Sequence, residues 1–228
     1  MEEKLVKISD VVSLRILDPA MRDWELKDAL TAARQQPGLQ EIVVLPVHLR
    51  RAKQLLLGTD IRLGAVVDYP LGCGTVAKKA FEVGKSFQEG ADFLELTVNG
   101  DALLQQPEMA AELERALTPL ASAWGEIRTR VDSREITELT KIYLGRAMKE
   151  WGWPCLVLGQ GTSIENALHD ATTIAYEGGD KLKLQINLER ITPEDLQELL
   201  NRGVARVGLT RFEDLNLQQE LRQIWPVD

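Results

Sequence analysis

Three short apolar segments carry polar side chains where a buried strand would ordinarily be Val, Ile or Leu. FLELTVN holds Glu95, IRTRVD holds Arg128, Arg130 and Asp132, and LKLQIN holds Lys183, Gln185 and Asn187. In an extended chain alternate residues share a face. Arg128, Arg130 and Asp132 therefore point one way and Lys183, Gln185 and Asn187 do the same, while Val131 and Leu184 point to the opposite side. Buried charges are costly unless paired, so Glu95 and Asp132 are expected to compensate Arg128, Arg130 or Lys183. Two readings stand side by side: a network of buried ion pairs, and a polar pocket.

The elements that would position these residues alternate along the whole chain. Strands are expected at Val12–Leu17, Ile42–Leu45, Arg62–Asp68, Phe93–Val98, Ile127–Asp132, Pro154–Leu158, Leu182–Ile186 and Ala205–Leu209. Helical patterns follow them: Trp24–Gln35 and Val47–Leu57, then Thr75–Gln88, then Ala102–Trp124 as one long segment or a broken pair. Arg134–Trp151, Ile164–Glu177, Pro193–Asn201 and Phe212–Ile224 complete the set. Eight β/α units in one composition regime predict a (β/α)₈ TIM barrel, an α/β fold in a single domain spanning residues 1–228. An open doubly wound sheet is the alternative. In a barrel the polar sets would face the interior and meet near the C-terminal mouth, where active sites of this fold are built. Ser133, Thr162, Thr192 and Thr210 each follow a strand and read as helix caps, and Glu165 and Glu213 complete capping boxes for Thr162 and Thr210.

Composition narrows the partners. The 228 residues carry 35 acids against 27 bases, a net charge of −8, and no basic run exceeds Arg50-Arg51. A nucleic-acid backbone needs a clustered positive face, so nucleic acid is not an expected partner. No apolar run reaches 18 residues, so no membrane span is expected. Two cysteines far apart and two isolated histidines, His48 and His169, give no metal site and point to a reducing, cytoplasmic location. No GxGxxG or GxxxxGK[ST] follows a strand, and no cofactor is expected. A small anionic metabolite remains a fitting partner, because one arginine or one helix N-terminus suffices. A homodimer is compatible with the sequence.

The segments IVVLPVHLRRAKQLL, IRLGAVVDYPLG and AFEVGKSFQEGADFLELTVN resemble the deoxyribose-phosphate aldolases. Pro46, Asp68-Tyr69-Pro70-Leu71-Gly72 and Gly90-Ala91-Asp92-Phe93-Leu94-Glu95 stand at that family's motif positions, with a close match over Ile42–Val98 and a looser one from Leu14 to Arg211. The resemblance implies a class I carbon–carbon lyase scaffold acting on small phosphorylated sugars through a lysine imine. On such a scaffold Lys183 would be the strand lysine available for an imine, Glu95 or Asp132 would be the acid/base, and Arg130 would hold a carboxylate or phosphate. The resemblance places the family's aspartate at Glu95 and the Schiff-base lysine at Val157, which cannot form an imine. The second lysine falls on Gln185, or on Lys183 if the register shifts by two, with Leu188-Glu189 in place of a phosphate-binding Gly-Gly pair. The opening Asp-x-Thr falls on Ser13 and Arg15. Gly161-Thr162 and Gly208-Leu209-Thr210-Arg211 still offer N–H groups, hydroxyls and a guanidinium to an anion. The expected protein is a divergent aldolase-like barrel binding a small phosphorylated or carboxylated sugar or aldehyde, with standard activity altered or lost. The alternative is a non-catalytic metabolite- or protein-binding barrel.

Overall fold

The computed structural model describes residues 2–132, 136–150, 153, 155–179, 182–213 and 215–225. The chain runs β1 (Glu2–Lys7), α1 (Ile8–Val11), β2 (Val12–Ile16), α2 (Asp23–Arg34), β3 (Glu41–Val44), a 3-10 turn (Pro46–His48) and α3 (Leu49–Leu55). It continues with β4 (Arg62–Val67), α4 (Val76–Gln88), β5 (Phe93–Thr97), α5 (Gly100–Gln105), α6 (Pro107–Trp124), β6 (Glu126–Val131) and α7 (Glu138–Glu150). The last elements are β7 (Cys155–Thr162), α8 (Ile164–Gly178), β8 (Lys183–Leu188), α9 (Pro193–Asn201), β9 (Val204–Leu209) and β10 (Glu220–Trp225).

Strands β2 to β9 pair in sequence order, all parallel, and β9 closes on β2. This is the (β/α)₈ barrel, and the open-sheet alternative is excluded by that closure. Alternation along each strand separates two cores. One parity set, including Ile42, Leu63, Ala65, Leu94, Leu96, Leu156, Leu158, Leu184 and Ile186, packs with helix residues such as Leu26, Leu30, Leu49, Val83 and Leu196 in one apolar cluster. The other set fills the barrel. Its apolar part is small, centred on Val43, Val66 and Phe93, and the rest of the filling is polar.

Local chemistry sets the helix starts. Thr75 caps α4 by accepting the Lys78 N–H. Thr192 caps α9 in a reciprocal box with Asp195, with Pro193 at the first helical position. Asn99 caps α5, and Pro107, which has no N–H to continue the helix, starts α6. The 102–124 pattern is therefore a broken pair. The cap of α8 is Ser163, which accepts from Asn166, while Thr162 ends β7. Thr210 caps no helix, and Ser133 lies outside the described residues.

The end of the chain corrects the sequence reading. No helix spans 212–224; the segment turns and then forms β10, antiparallel to β1, with Val6 opposite Leu221. The backbone N–H groups of Ile8 and Ser9 donate to the carbonyls of Gln219 and Leu217. Leu215, Leu217 and Leu221 are buried. The leucine spacing fits a helix locally, and pairing with the far end of the chain overrides it. Among the described residues no helix is long and apolar enough to cross a membrane.

A candidate active site at the barrel mouth

The inward side chains stack in two polar levels. In the upper level Glu95 on β5 is fully buried and receives both terminal nitrogens of Arg15 on β2, at 2.7 and 2.6 Å. Gln185 Nε2 donates to the same carboxylate at 3.1 Å and to Asn187 Oδ1 at 3.1 Å. Burial alone would raise the Glu95 pKa, but the charge and hydrogen bonds of Arg15, with Arg130 and Arg128 behind them, hold it below the usual carboxylate range. In the lower level Arg128 grips Glu41 with two bonds of 2.8 and 2.7 Å and reaches Glu126 at 3.0 Å. Glu41 also receives Arg62 at 3.0 Å and lies 3.3 Å from Arg206. Arg62 and Arg128 both lie over the Phe93 ring.

Arg130 sits at the junction with the mouth. It is 1% exposed. Its Nη2 donates to the Gly159 carbonyl at 3.2 Å, and its guanidinium lies over the Tyr69 ring at 4.7 Å. Nε and Nη1 have no hydrogen-bond partner, although Glu95 is 3.9 Å away. Burial, then the neighbouring Arg15, lowers the Arg130 pKa to about 10, so it stays charged at neutral pH. Arg15, Tyr69, Arg130, Gly159 and Asn187 form one side of a cavity of about 660 Å³. Arg190, Thr210, Arg211 and Glu213 form the rim.

Two loop devices shape this cavity. Asp68 accepts from the Gly74 N–H and from Lys78 and Lys79, which fixes the turn that presents Tyr69. Burial opposes the Asp68 charge, and these bonds outweigh it, so its pKa is lowered. Gly208 on β9 lies between Asn187 and Arg15: a Cβ there would be 2.0 Å from Asn187 Oδ1 and 2.7 Å from Arg15 Cδ. Gly208→Ala is therefore expected to displace both side chains and cost about 1–3 kcal/mol, read as a lower urea midpoint.

The sequence-predicted residues divide. Glu95, Arg130 and Gln185 meet inside the barrel, and Asp132 lies just above, where its charge acts on Arg130. Lys183 does not join them. It is exposed at the start of β8, paired in register with Cys155, whereas Gln185 is level with Val157. Residue parity gives Lys183 the same face as Gln185 but not the same height: Lys183 is four residues, roughly 13 Å at about 3.3 Å each, below Asn187. Thr162 is buried with Oγ1 unpartnered. Gly161 lies in β7 and Gly208 in β9. Thr210 and Arg211 are exposed, and Arg211 pairs with Glu213 at 3.4 Å. Glu95 is gripped by Arg15 and lies 3.9 Å from Arg130, the latter as expected, while Arg128 is compensated by Glu41 and Glu126, which the sequence reading did not pair with it. Glu41 escaped the sequence reading because the strand was started one residue late, at Ile42; it has the parity of Val43, the inward set.

Two buried lysines outside these strands are engaged. Lys79, buried, donates to Asp68 and to the carbonyls of Gly72 (2.8 Å) and Gly74 (3.1 Å). Lys141 Nζ lies 2.7 Å from Asp170 and 2.6 Å from Glu138. It thus occupies the cluster of Glu138, His169 and Asp170, whose ligand atoms are otherwise close enough for a metal ion.

Val157, buried inside the barrel between Arg130 and Gln185 in register, stands where the sequence resemblance put the imine lysine. No family model matches the chain. The deoxyribose-phosphate aldolase of Dictyoglomus turgidum is 25% identical over 174 residues, 75% of this chain and 78% of that one. The enzyme of the same name from Streptococcus pneumoniae is 24% identical over 206 residues, covering 89% and 92% of the two chains. The chain is a divergent relative of the deoxyribose-phosphate aldolases. The solved deoxyribose phosphate aldolase of Aeropyrum pernix, described as tetrameric, superposes with a TM-score of 0.73 at 16% identity over 89% of this chain and 86% of that one. Against that aldolase background, the polar filling of this barrel centres on arginine–carboxylate pairs.

The acid response follows from those pairs. The Glu126 pKa falls to about 2, because Arg128 and Arg62 outweigh its burial, and Glu95 and Asp68 are lowered as well. A carboxylate whose folded pKa is depressed stabilises the fold above its ordinary pKa and loses that contribution as pH falls toward the folded value. The urea midpoint should therefore fall steadily from pH 5 toward about pH 2. A flat profile over that range would contradict the pairing described.

Proposed function

We propose that this aldolase-like barrel binds a small phosphorylated or carboxylated sugar or aldehyde in its C-terminal mouth, and that imine-based aldolase chemistry has been lost. The observation that carries the binding half is Arg130: a buried, charged side chain in the wall of a cavity of about 660 Å³, with Nε and Nη1 lacking hydrogen-bond partners. An anionic group in the cavity can pair with that charge, and a carboxylate or a phosphate suits a guanidinium. Arg190 and Arg211 at the rim add to the attraction.

The loss of chemistry is supported by the positions of the amines. Val157 occupies the nucleophile position, Lys79 is saturated by acceptors, and Lys183 opens on the opposite pole. Glu95, the candidate acid/base, is locked by Arg15 and is held ionised, so it has no proton to give. Asp132 is a second carboxylate whose charge acts on Arg130. A reducing, cytoplasmic location is part of the same proposal and is supported by two free cysteines, Cys73 and Cys155. Self-association, the assembly named for the Aeropyrum pernix relative, is also proposed here.

The test has two arms. Borohydride reduction in the presence of small aldehydes and ketones, read by mass spectrometry, should trap no lysine beyond the slow, non-selective labelling of exposed amines; a selective, stoichiometric adduct on one lysine would overturn the loss of imine chemistry. Titration calorimetry with small sugar phosphates and keto acids should give binding that Arg130→Gln weakens at least about tenfold, the value of one charge-assisted hydrogen bond. Equal binding by the variant would remove Arg130 as the anchor.

A further inference from the structure

The barrel also opens at its N-terminal pole. There a well of about 240 Å³ is lined by Arg62, Glu126, Arg128, Cys155, Lys183 and Arg206, among others. Four cations face two carboxylates, Glu126 and Glu41 below it. Glu41 is already shared by Arg62, Arg128 and Arg206, and Glu126 by Arg62 and Arg128. The next carboxylate up the barrel, Glu95, is committed to Arg15. Lys183 has no partner among the described residues, and Arg128 Nε, on a side chain 1% exposed, has none either. Arg206 Nε, 3.3 Å from Glu41, also lacks a hydrogen bond. Lys183 is exposed and Arg62 and Arg206 are partly so, so the well presents an excess of positive charge that an anion from solvent can join.

We propose that this N-terminal well is a second anion site, taking a phosphate group between Lys183, Arg206 and Arg62. The well is large enough for a tetrahedral oxyanion, and its donors come from β4, β8 and β9, three strands whose spacing the closed barrel fixes. The Cys155 thiol at its floor, which burial raises to about 12, is uncharged and does not oppose an anion. The site is separate from the mouth, because Gln185 and the Arg15–Glu95 pair fill the barrel between them.

Inorganic phosphate is the probe, titrated into the full chain while backbone amide resonances are followed. The amides of Lys183, Leu184, Ala205 and Arg206 should shift, and they should still do so in Arg130→Gln, which disables the mouth. Lys183→Ala, an exposed change that leaves the fold intact, should weaken this binding about fivefold, and Lys183→Glu by more. Shifts confined to Asn187, Leu188 and Thr210 at the mouth would overturn the proposal. So would undiminished binding by Lys183→Glu, or no shift up to about 10 mM phosphate, beyond which no millimolar site would escape notice.

Discussion

Glu95→Gln is expected to lower stability by about 3–5 kcal/mol, because it leaves buried guanidinium charge without its counter-ion. The carboxylate is fully buried, Arg15 grips it with two short hydrogen bonds, and Arg130 lies 3.9 Å away. Glutamine keeps the shape and can accept from one Arg15 nitrogen, but it turns an N–H₂ toward the other. Breaking one partner costs more than removing both. Arg15→Met combined with Glu95→Leu should therefore be milder than either single change, since an apolar pair of similar volume avoids desolvating any charge. Urea denaturation of the four proteins in this cycle measures the coupling. Equal, small losses in both single variants would mean that the pair is solvated, and the account of a closed ionic filling would be wrong.

The second expectation concerns turnover. Deoxyribose 5-phosphate should not be cleaved at an enzymatic rate; purified protein should stay below about 10⁻² s⁻¹, two orders under the low end of the usual range near 1 s⁻¹. The covalent route needs an unprotonated amine inside the mouth. Val157 offers none, Lys79 has its three hydrogens committed to Asp68 and two carbonyls, and Lys183 is at the opposite pole. An assay coupled to the aldehyde product decides it. Turnover of 1 s⁻¹ or more would show that another amine serves.

These expectations differ in how far the sequence alone reaches. The barrel was legible because eight strands alternate with helices and the strand side chains obey a period of two. That period also determined, without any structure, that Arg128, Arg130, Gln185 and Asn187 face inward. Of the expected helix caps Thr192 holds, with Pro193 at the first helical position, whereas Ser163 takes the place of Thr162 and no helix follows Thr210.

The tertiary structure decided heights and partners. Parity assigns a face and leaves position along the barrel axis open, so Lys183, on the same face as Gln185, falls at the wrong pole once the register β7–β8 is set. Glu95 is satisfied by Arg15, 80 residues earlier, and Glu41 gathers arginines from β4, β6 and β9. No local signal joins such pairs, because closure of the barrel is what brings them together. The last segment makes the same point. Its leucines satisfy a helical pattern, and it becomes a strand because residues 2–7 offer a free edge at the other end of the chain. Periodicity is a property of neighbours in sequence, and the sequence determined what depends on it; charge pairing and edge pairing belong to neighbours in space, and only the folded barrel supplies those.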